Sequence, residues 1–210
     1  MADFTGFNPA HATHEIETLR EVLGDARYLL SDAFTVIASD IAEVWASPKA
    51  KEFGGTYVPQ MNDLLESYTT NATSILKNVV RAIEIMANAN GASFNGDFAD
   101  MGSVEVCDNF KEEKDGIVGM NVAQVELYQD TFKDQLKAFF TAFAQVDALD
   151  ISLYDPHGSL KQAFKTLLTE FETKLNELVE SINKAIQFAT LSEINTIRIA
   201  KNDAATTMSA

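Results

Sequence analysis

His11 and His14 stand three residues apart near the start of the chain, with Glu15 and Glu17 beside them. On a helix that spacing brings both imidazoles to one face, which is how some metal sites begin. A zinc site needs three or four protein ligands, and no second His or Cys cluster supplies the rest. The sequence therefore predicts no bound metal. A carboxylate di-iron bundle would need a Glu-x-x-His repeat on its core helices. Glu66, Glu84, Glu170 and Glu177 have no His three residues on. Glu15, Glu17 and Glu21 read as a solvated acidic stripe and not as an acid–base pair. His157 stands alone beside Asp155 in a loop, where capping or solvent contact suits it.

Cys107 is the single cysteine, so no internal disulfide can form. It lies in an acidic stretch with no His nearby. Negative surroundings disfavour the thiolate that a nucleophile requires. Asn71-Ala72-Thr73 spells a glycosylation string, but inside a predicted helix. The chain has no Gly-rich phosphate loop, no nucleophile elbow and no interleaving of basic and aromatic residues. The expectation is a protein with no catalytic residue and no cofactor, which is not an enzyme.

The elements that carry these residues come from a 210-residue chain, 46% hydrophobic and 22% charged. That balance fits a globular fold and excludes a wholly disordered chain or a disulfide-built mini-protein. The net charge of -15 argues against nucleic acid or an anionic membrane as partner. No stretch approaches the roughly 20 apolar residues that span a bilayer. The richest apolar run, Leu136 to Val146, is broken by Lys137, Thr141 and Gln145. Stable membrane insertion is not expected. Met1 to Gly24 has no basic region followed by an apolar core, so a cytoplasmic location, or export without a cleaved signal peptide, is expected.

Four long amphipathic patterns follow. Ala10 to Val44 carries an apolar stripe in steps of three and four, from Ile16 and Leu19 through Leu23, Leu30 and Phe34 to Ile41. Ser47 can cap the next helix, and Pro48 suits a first helical position. Because a proline in a helix interior costs about 3 kcal/mol, the main second helix is expected to begin near Thr56, with Pro59 in its first turn. It should stop at Asn90-Gly91. Residues 93–119 form an irregular acidic connector with seven acidic residues and two lysines between Asp97 and Asp115. Phe94, Phe98, Met101 and Phe110 should lay it against the helices. A third helix is expected from Asn121 to Leu149. After the loop Asp155 to Gly158, a fourth starts at the capping box of Ser159 and Gln162 and runs to about Ile199. Lys201 to Ala210 should fray. No segment alternates with a period of two, so almost no strand is expected.

The third helix overlays the first at a shift of 109 positions: Ile16 meets Val125, Leu23 meets Phe132, Leu30 meets Phe139 and Phe34 meets Phe143. Val44-Trp45 then meets Leu153-Tyr154. With two more residues inserted, Phe53 meets Phe164 and Leu64 meets Leu175. The fold class expected is all-α: an elongated antiparallel four-helix bundle made of two similar hairpins. The first is 1–92, the connector 93–119 and the second 120–210, in one structural domain.

Val44-Trp45-Ala46-Ser47, followed by Ala50, Phe53, Tyr57, Met61 and Leu64, resembles the turn and second helix of the small Trp-x-Gly proteins of type VII secretion systems. The resemblance covers residues 10–90 best, and the second half matches as a degenerate copy with Tyr154 at the Trp position. Family members pair as antiparallel dimers with a four-helix core, so the resemblance implies a fused pair: a monomer acting as a pseudo-dimer. Ser47 stands where the family has Gly. No Tyr follows Tyr154, so a C-terminal Tyr-x-x-x-Asp/Glu export signal is missing; Tyr28 to Asp32 spells one only inside the first helix.

The resemblance implies a non-catalytic protein associated with type VII secretion, as exported substrate or as carrier. Its partner would be a protein, either a secretion component or a cognate effector. Trp45, Ser47, Phe53 and Tyr154 form the turn motif and the candidate partner-binding set. A cytosolic scaffold or adaptor with a similar bundle is the alternative. A membrane-active helical toxin, motivated by Leu136 to Val146 alone, is a third reading.

Overall fold

The computed structural model describes residues 8–94, 96, 101–147 and 159–208. The chain is mostly helical. Helix α1 is Pro9–Thr35; it runs into a six-residue π-helical segment, Val36–Ile41, and a single turn, α2, at Ala42–Val44. Strand β1 is Trp45–Ala46, α3 is Pro48–Ala89, and β2 is Gly119–Met120. Helix α4 is Val122–Asp147 and α5 is Ser159–Met208. The two-residue strands pair antiparallel, Trp45 with Met120 and Ala46 with Gly119. Among the described residues, no helix is long and apolar enough to cross a membrane.

Local chemistry explains where the helices start and stop. Asn121 caps α4: its carboxamide oxygen accepts the Gln124 N–H at 3.3 Å, and its amide donates to the Gln124 side chain at 2.7 Å. Helix α3 ends as expected at Gly91, whose φ of 70° is left-handed. Ala92 N–H donates to Ala87 O at 2.9 Å and Gly91 N–H to Asn88 O at 3.1 Å, the paired bonds of a Schellman stop.

Two expectations are corrected. Helix α3 begins at Pro48, not near Thr56, and Pro59 lies in its interior. The proline removes the donor for the Gly55 carbonyl. Gly55, Thr56, Pro59 and Gln60 are all exposed, so water can take that carbonyl. The Gln60 side chain also donates to Thr56 O at 2.7 Å. The second correction is at the C-terminal end, where α5 continues past Lys201 to Met208. The part of α5 leading into this stretch, residues 194–201, is exposed, Ile194 and Ile197 included. Leu149, Tyr154, the Asp155 to Gly158 loop and Phe98 lie outside the described residues, as does the Ser159 side chain.

The chain divides into two compact units, each drawing on α1, α3, α4 and α5. One comprises Met1–Ser31, Leu64–Glu105 and Gln135–Thr173. Its core joins Leu19, Leu23 and Leu30 of α1 to Leu65, Leu76 and Ile83 of α3. Tyr68, Phe139, Phe143 and Phe171 meet as an aromatic cluster with centroids 5.1–6.1 Å apart. The Tyr68 hydroxyl donates to Leu23 O at 2.9 Å, and burial pushes its phenol far above the ordinary range, only partly offset by the Arg27 charge. Arg27 is itself buried, donates to Gly102 O at 3.0 Å and to Met101 O, and lies over the Tyr28 ring. The start of the connector is thereby tied to α1.

The other unit comprises Asp32–Asp63, Val106–Asp134 and Lys174–Ala210. Phe34, Ile37, Ile41 and Trp45 are its most buried large residues before α3. Phe53, Met61, Phe132, Leu175, Ile182 and Ile186 complete the core. The candidate site lies in this unit.

Candidate functional site

Trp45 lies at the end of α2, where its φ of -139° and ψ of 109° break the helix into extended chain. Its indole is 1% exposed. A buried indole N–H needs an acceptor, and Ser47 Oγ supplies one at 3.1 Å. The same oxygen accepts the Ala50 N–H at 3.0 Å and so caps α3. Ser47 therefore joins the turn tryptophan to the second helix through one atom. Phe53, one turn further on, stands 5.3 Å from the Trp45 ring, and Tyr57 lies tilted against it at 4.7 Å. The structure thus brings Trp45, Ser47 and Phe53 together; Tyr154 lies outside the described residues.

The connector completes this cluster. Phe110, 2% exposed, enters edge-on at 5.8 Å from Trp45 and 5.1 Å from Phe53. Gly54 makes the approach possible: a Cβ there would stand 2.7 Å from the Phe110 ring and 2.4 Å from Asp108 Oδ1. Four residues earlier Val106 is buried, and Asn62 grips its main chain. Asn62 Nδ2 donates to Val106 O at 3.0 Å, and Val106 N–H donates to Asn62 Oδ1 at 2.8 Å. Asp108 caps the Phe110 N–H at 3.0 Å and pairs with Lys51 at 3.2 Å.

The π segment takes part as well. Such segments insert one extra residue and disturb the regular ladder of helical bonds. Here the Ala38 carbonyl accepts the Asn109 N–H at 3.3 Å, and the Asn109 amide donates to Ser39 Oγ at 2.9 Å. Beyond Phe110, Lys111 O accepts the Ser47 N–H at 3.0 Å, and Asn121 N–H donates to Val44 O at 2.8 Å. The backbone of the Trp45 turn is thus bonded on both sides, by the connector at Lys111 and by the α4 cap at Asn121. Lys114 to Ile117 turns the connector back: the two residues exchange main-chain bonds at 3.0 and 2.8 Å across Asp115 (φ 54°) and Gly116 (φ 75°). Two central residues with positive φ make the tight hairpin turn that suits strand twist. Lys114 reaches the Glu43 carboxylate and holds that acid below its usual range.

Sequence reading did not single out Asn62, Asn109, Lys114 or the hairpin. Asp115-Gly116 is a strong hairpin signal and could have been read. Asn62 and Asn109 are polar residues without a local pattern, and only tertiary contact gives them roles.

Among the described residues no group of His, Cys, Asp and Glu could hold a metal. His11 is paired with Glu15 at 3.8 Å, which accounts for one member of the histidine pair. Cys107 is exposed on the connector. A shallow pocket in the other unit is lined by Leu23, Tyr68, Asn71, Phe143, Leu167 and Phe171. It is apolar and its one hydroxyl, on Tyr68, is committed to Leu23. The arrangement at Trp45 is built of packed rings and main-chain bonds, and what it can do is hold polypeptide. Comparison with protein-family models, curated proteins and solved structures finds no match to this chain.

Proposed function

We propose that this chain is a non-catalytic helical protein of type VII secretion, acting by protein–protein contact as an exported substrate or as a carrier of one. The observation that carries the reading is the Trp45 turn. A tryptophan between two long helices, with its indole bonded to the residue that caps the second, fits the Trp-x-Gly hairpin that the sequence resembles. In this reading the fold is an antiparallel four-helix bundle of two similar hairpins, and the molecule is a monomer that serves as its own pair. Support comes from burial at the overlaid positions. Ile16 and Val125, Leu23 and Phe132, Leu30 and Phe139, Phe34 and Phe143, Leu64 and Leu175 are all buried.

The test is export. The intact chain should be found in culture medium and should vanish from it when the type VII ATPase is deleted. Retention in the cells of both strains rejects the reading. A second reading, a scaffold or adaptor without export, is favoured by the exposed apolar residues Phe188, Leu191, Ile194 and Ile197 of α5. Recovery of a stable partner from cells that do not secrete the chain would favour it.

A further inference from the structure

Residues 106–111 are held at the Trp45 turn in the manner of a bound peptide. Both ends of the Asn62 carboxamide are spent on the main chain of one residue, Val106. Such a grip reads main chain whatever side chain it carries. Lys111 bridges to Ala46 as a parallel strand partner, and its carbonyl takes the Ser47 N–H. That is a single main-chain bridge to the turn, in which main-chain bonds can give affinity and side-chain pockets specificity. The pocket is the slot between Trp45 and Phe53, and Phe110 fills it. Lys51 meets the acidic residue two positions earlier, Asp108. Every fixed group comes from the helices and the turn. The segment supplies main chain, two apolar side chains, one carboxylate and the Asn109 amide, which donates to Ser39 Oγ.

We infer that the Trp45 turn is a peptide-binding groove which residues 106–111 occupy in cis. Its partner is a polypeptide segment carrying an aliphatic residue, then an acidic residue two positions on, which bonds the N–H of an aromatic two further. That partner enters by displacing the chain's own segment. The seated segment defines the ligand chemistry: Asn62 sets the register, Lys51 selects the acid and the aromatic slot supplies the anchor. This goes beyond the secretion reading and does not depend on it, because the groove is defined by its own contacts.

The chain has one tryptophan and one cysteine, and Cys107 is exposed on the docked segment. A fluorophore on Cys107 that accepts energy from Trp45 therefore reports whether the segment is seated. The probe is a synthetic peptide of residues 104–112 with Cys107→Ser, added to the labelled full-length chain. Energy transfer should fall saturably as the peptide displaces the tethered segment. In a Phe110→Ala chain the groove is intact but the tethered segment lacks its anchor, so half-saturation should come at a peptide concentration lower by about tenfold or more. A peptide carrying Phe110→Ala should leave the transfer unchanged. Asp108→Ala, which keeps the anchor and removes the Lys51 pair, gives a second, milder chain should Phe110→Ala fail to fold; it should shift half-saturation the same way. The inference is overturned if the peptide leaves the signal unchanged in the wild-type chain and in a folded weakened chain, or if the Phe110→Ala peptide displaces the segment as well as its parent does.

Discussion

Gly54 and Gly55 are neighbours in the same helix, and the fold assigns them opposite responses to one methyl group. In a helix interior, Gly→Ala gains about 0.5–1 kcal/mol, since alanine loses less backbone entropy on folding. At Gly55 a Cβ meets nothing within 4 Å, so that gain should appear whole. At Gly54 the same Cβ would stand 2.7 Å from the Phe110 ring and 2.8 Å from Phe110 Cβ. A carboxylate such as that of Asp108 can swing aside, but Phe110 Cβ moves only if the connector backbone moves. Overpacking of this kind costs roughly 1–3 kcal/mol. Gly54→Ala should therefore range from neutral to about 2 kcal/mol destabilising, and should fall about 1–3 kcal/mol below Gly55→Ala. For a chain of this length that is a gap of roughly 2–12 °C in melting temperature, at about 2–4 °C for each kcal/mol. Thermal unfolding followed by circular dichroism measures the gap. Trp45 emission checks its origin, since lifting Phe110 lets water reach the indole in Gly54→Ala alone. Equal stability of the two variants, with unchanged emission in both, would refute the close packing of connector on helix.

Three further outcomes are expected. Ser47→Gly should cost about 1–3 kcal/mol, because glycine still serves as a cap to within a few tenths but leaves the buried indole N–H without an acceptor; Ser47→Ala should cost about 2–4, having lost the cap too. Urea unfolding followed by Trp45 emission orders the two. Tyr68 keeps its proton in the folded protein well above the ordinary value of 10.0, so the unfolded chain ionises first as pH rises. Its contribution is whole below pH 10 and should then fall by about 1.4 kcal/mol per pH unit, and Tyr68→Phe should flatten that part of the stability–pH curve. Lys114→Ala should leave the urea-unfolding midpoint almost unmoved, since the pair with Glu43 is open to solvent, while raising the Glu43 pKa in a carboxyl NMR titration.

The long helices were legible because stripes in steps of three and four are repeated many times over. The Ser47 cap, the Gly91 stop and the Asn121 start follow from single residues whose chemistry suits one position. The start of α3 was misplaced for a physical reason: proline was weighed by its interior cost, while the offsetting facts are tertiary. Solvent reaches the freed carbonyl, and Gly54 is required where Phe110 lands. The helical tail after Lys201 was missed because Asn202, Asp203, Thr206 and Thr207 are weak helix formers, while Ala204, Ala205 and Met208 among them favour helix. Trp45, Ser47 and Phe53 were legible as a turn, and Phe110 as a residue that lies against helices. That these four meet was not legible, because residues 53 and 110 are joined only through a chain path that no local pattern specifies. Asn62 is the extreme case: a polar residue on an otherwise ordinary helix, whose role exists only once Val106 is beside it.

The serine at position 47, where the proposed resemblance would place glycine, has a role of its own in this fold. A tryptophan at an open turn can leave its indole N–H to water, and glycine two residues on is then sufficient. Here Phe110 and the paired main chain of residues 111 and 119–120 close over the turn, and Trp45 is left 1% exposed. Once water is excluded, the N–H must find a protein acceptor or cost about 1–3 kcal/mol. Ser47 Oγ is that acceptor, and it can serve because the helix cap needs the same atom in the same place. The serine and the docked connector are thus two parts of one arrangement. A chain of this kind that lacked the connector would have no use for the hydroxyl beyond the cap, whereas one that keeps the connector cannot lose the hydroxyl without exposing the turn or leaving a buried donor bare.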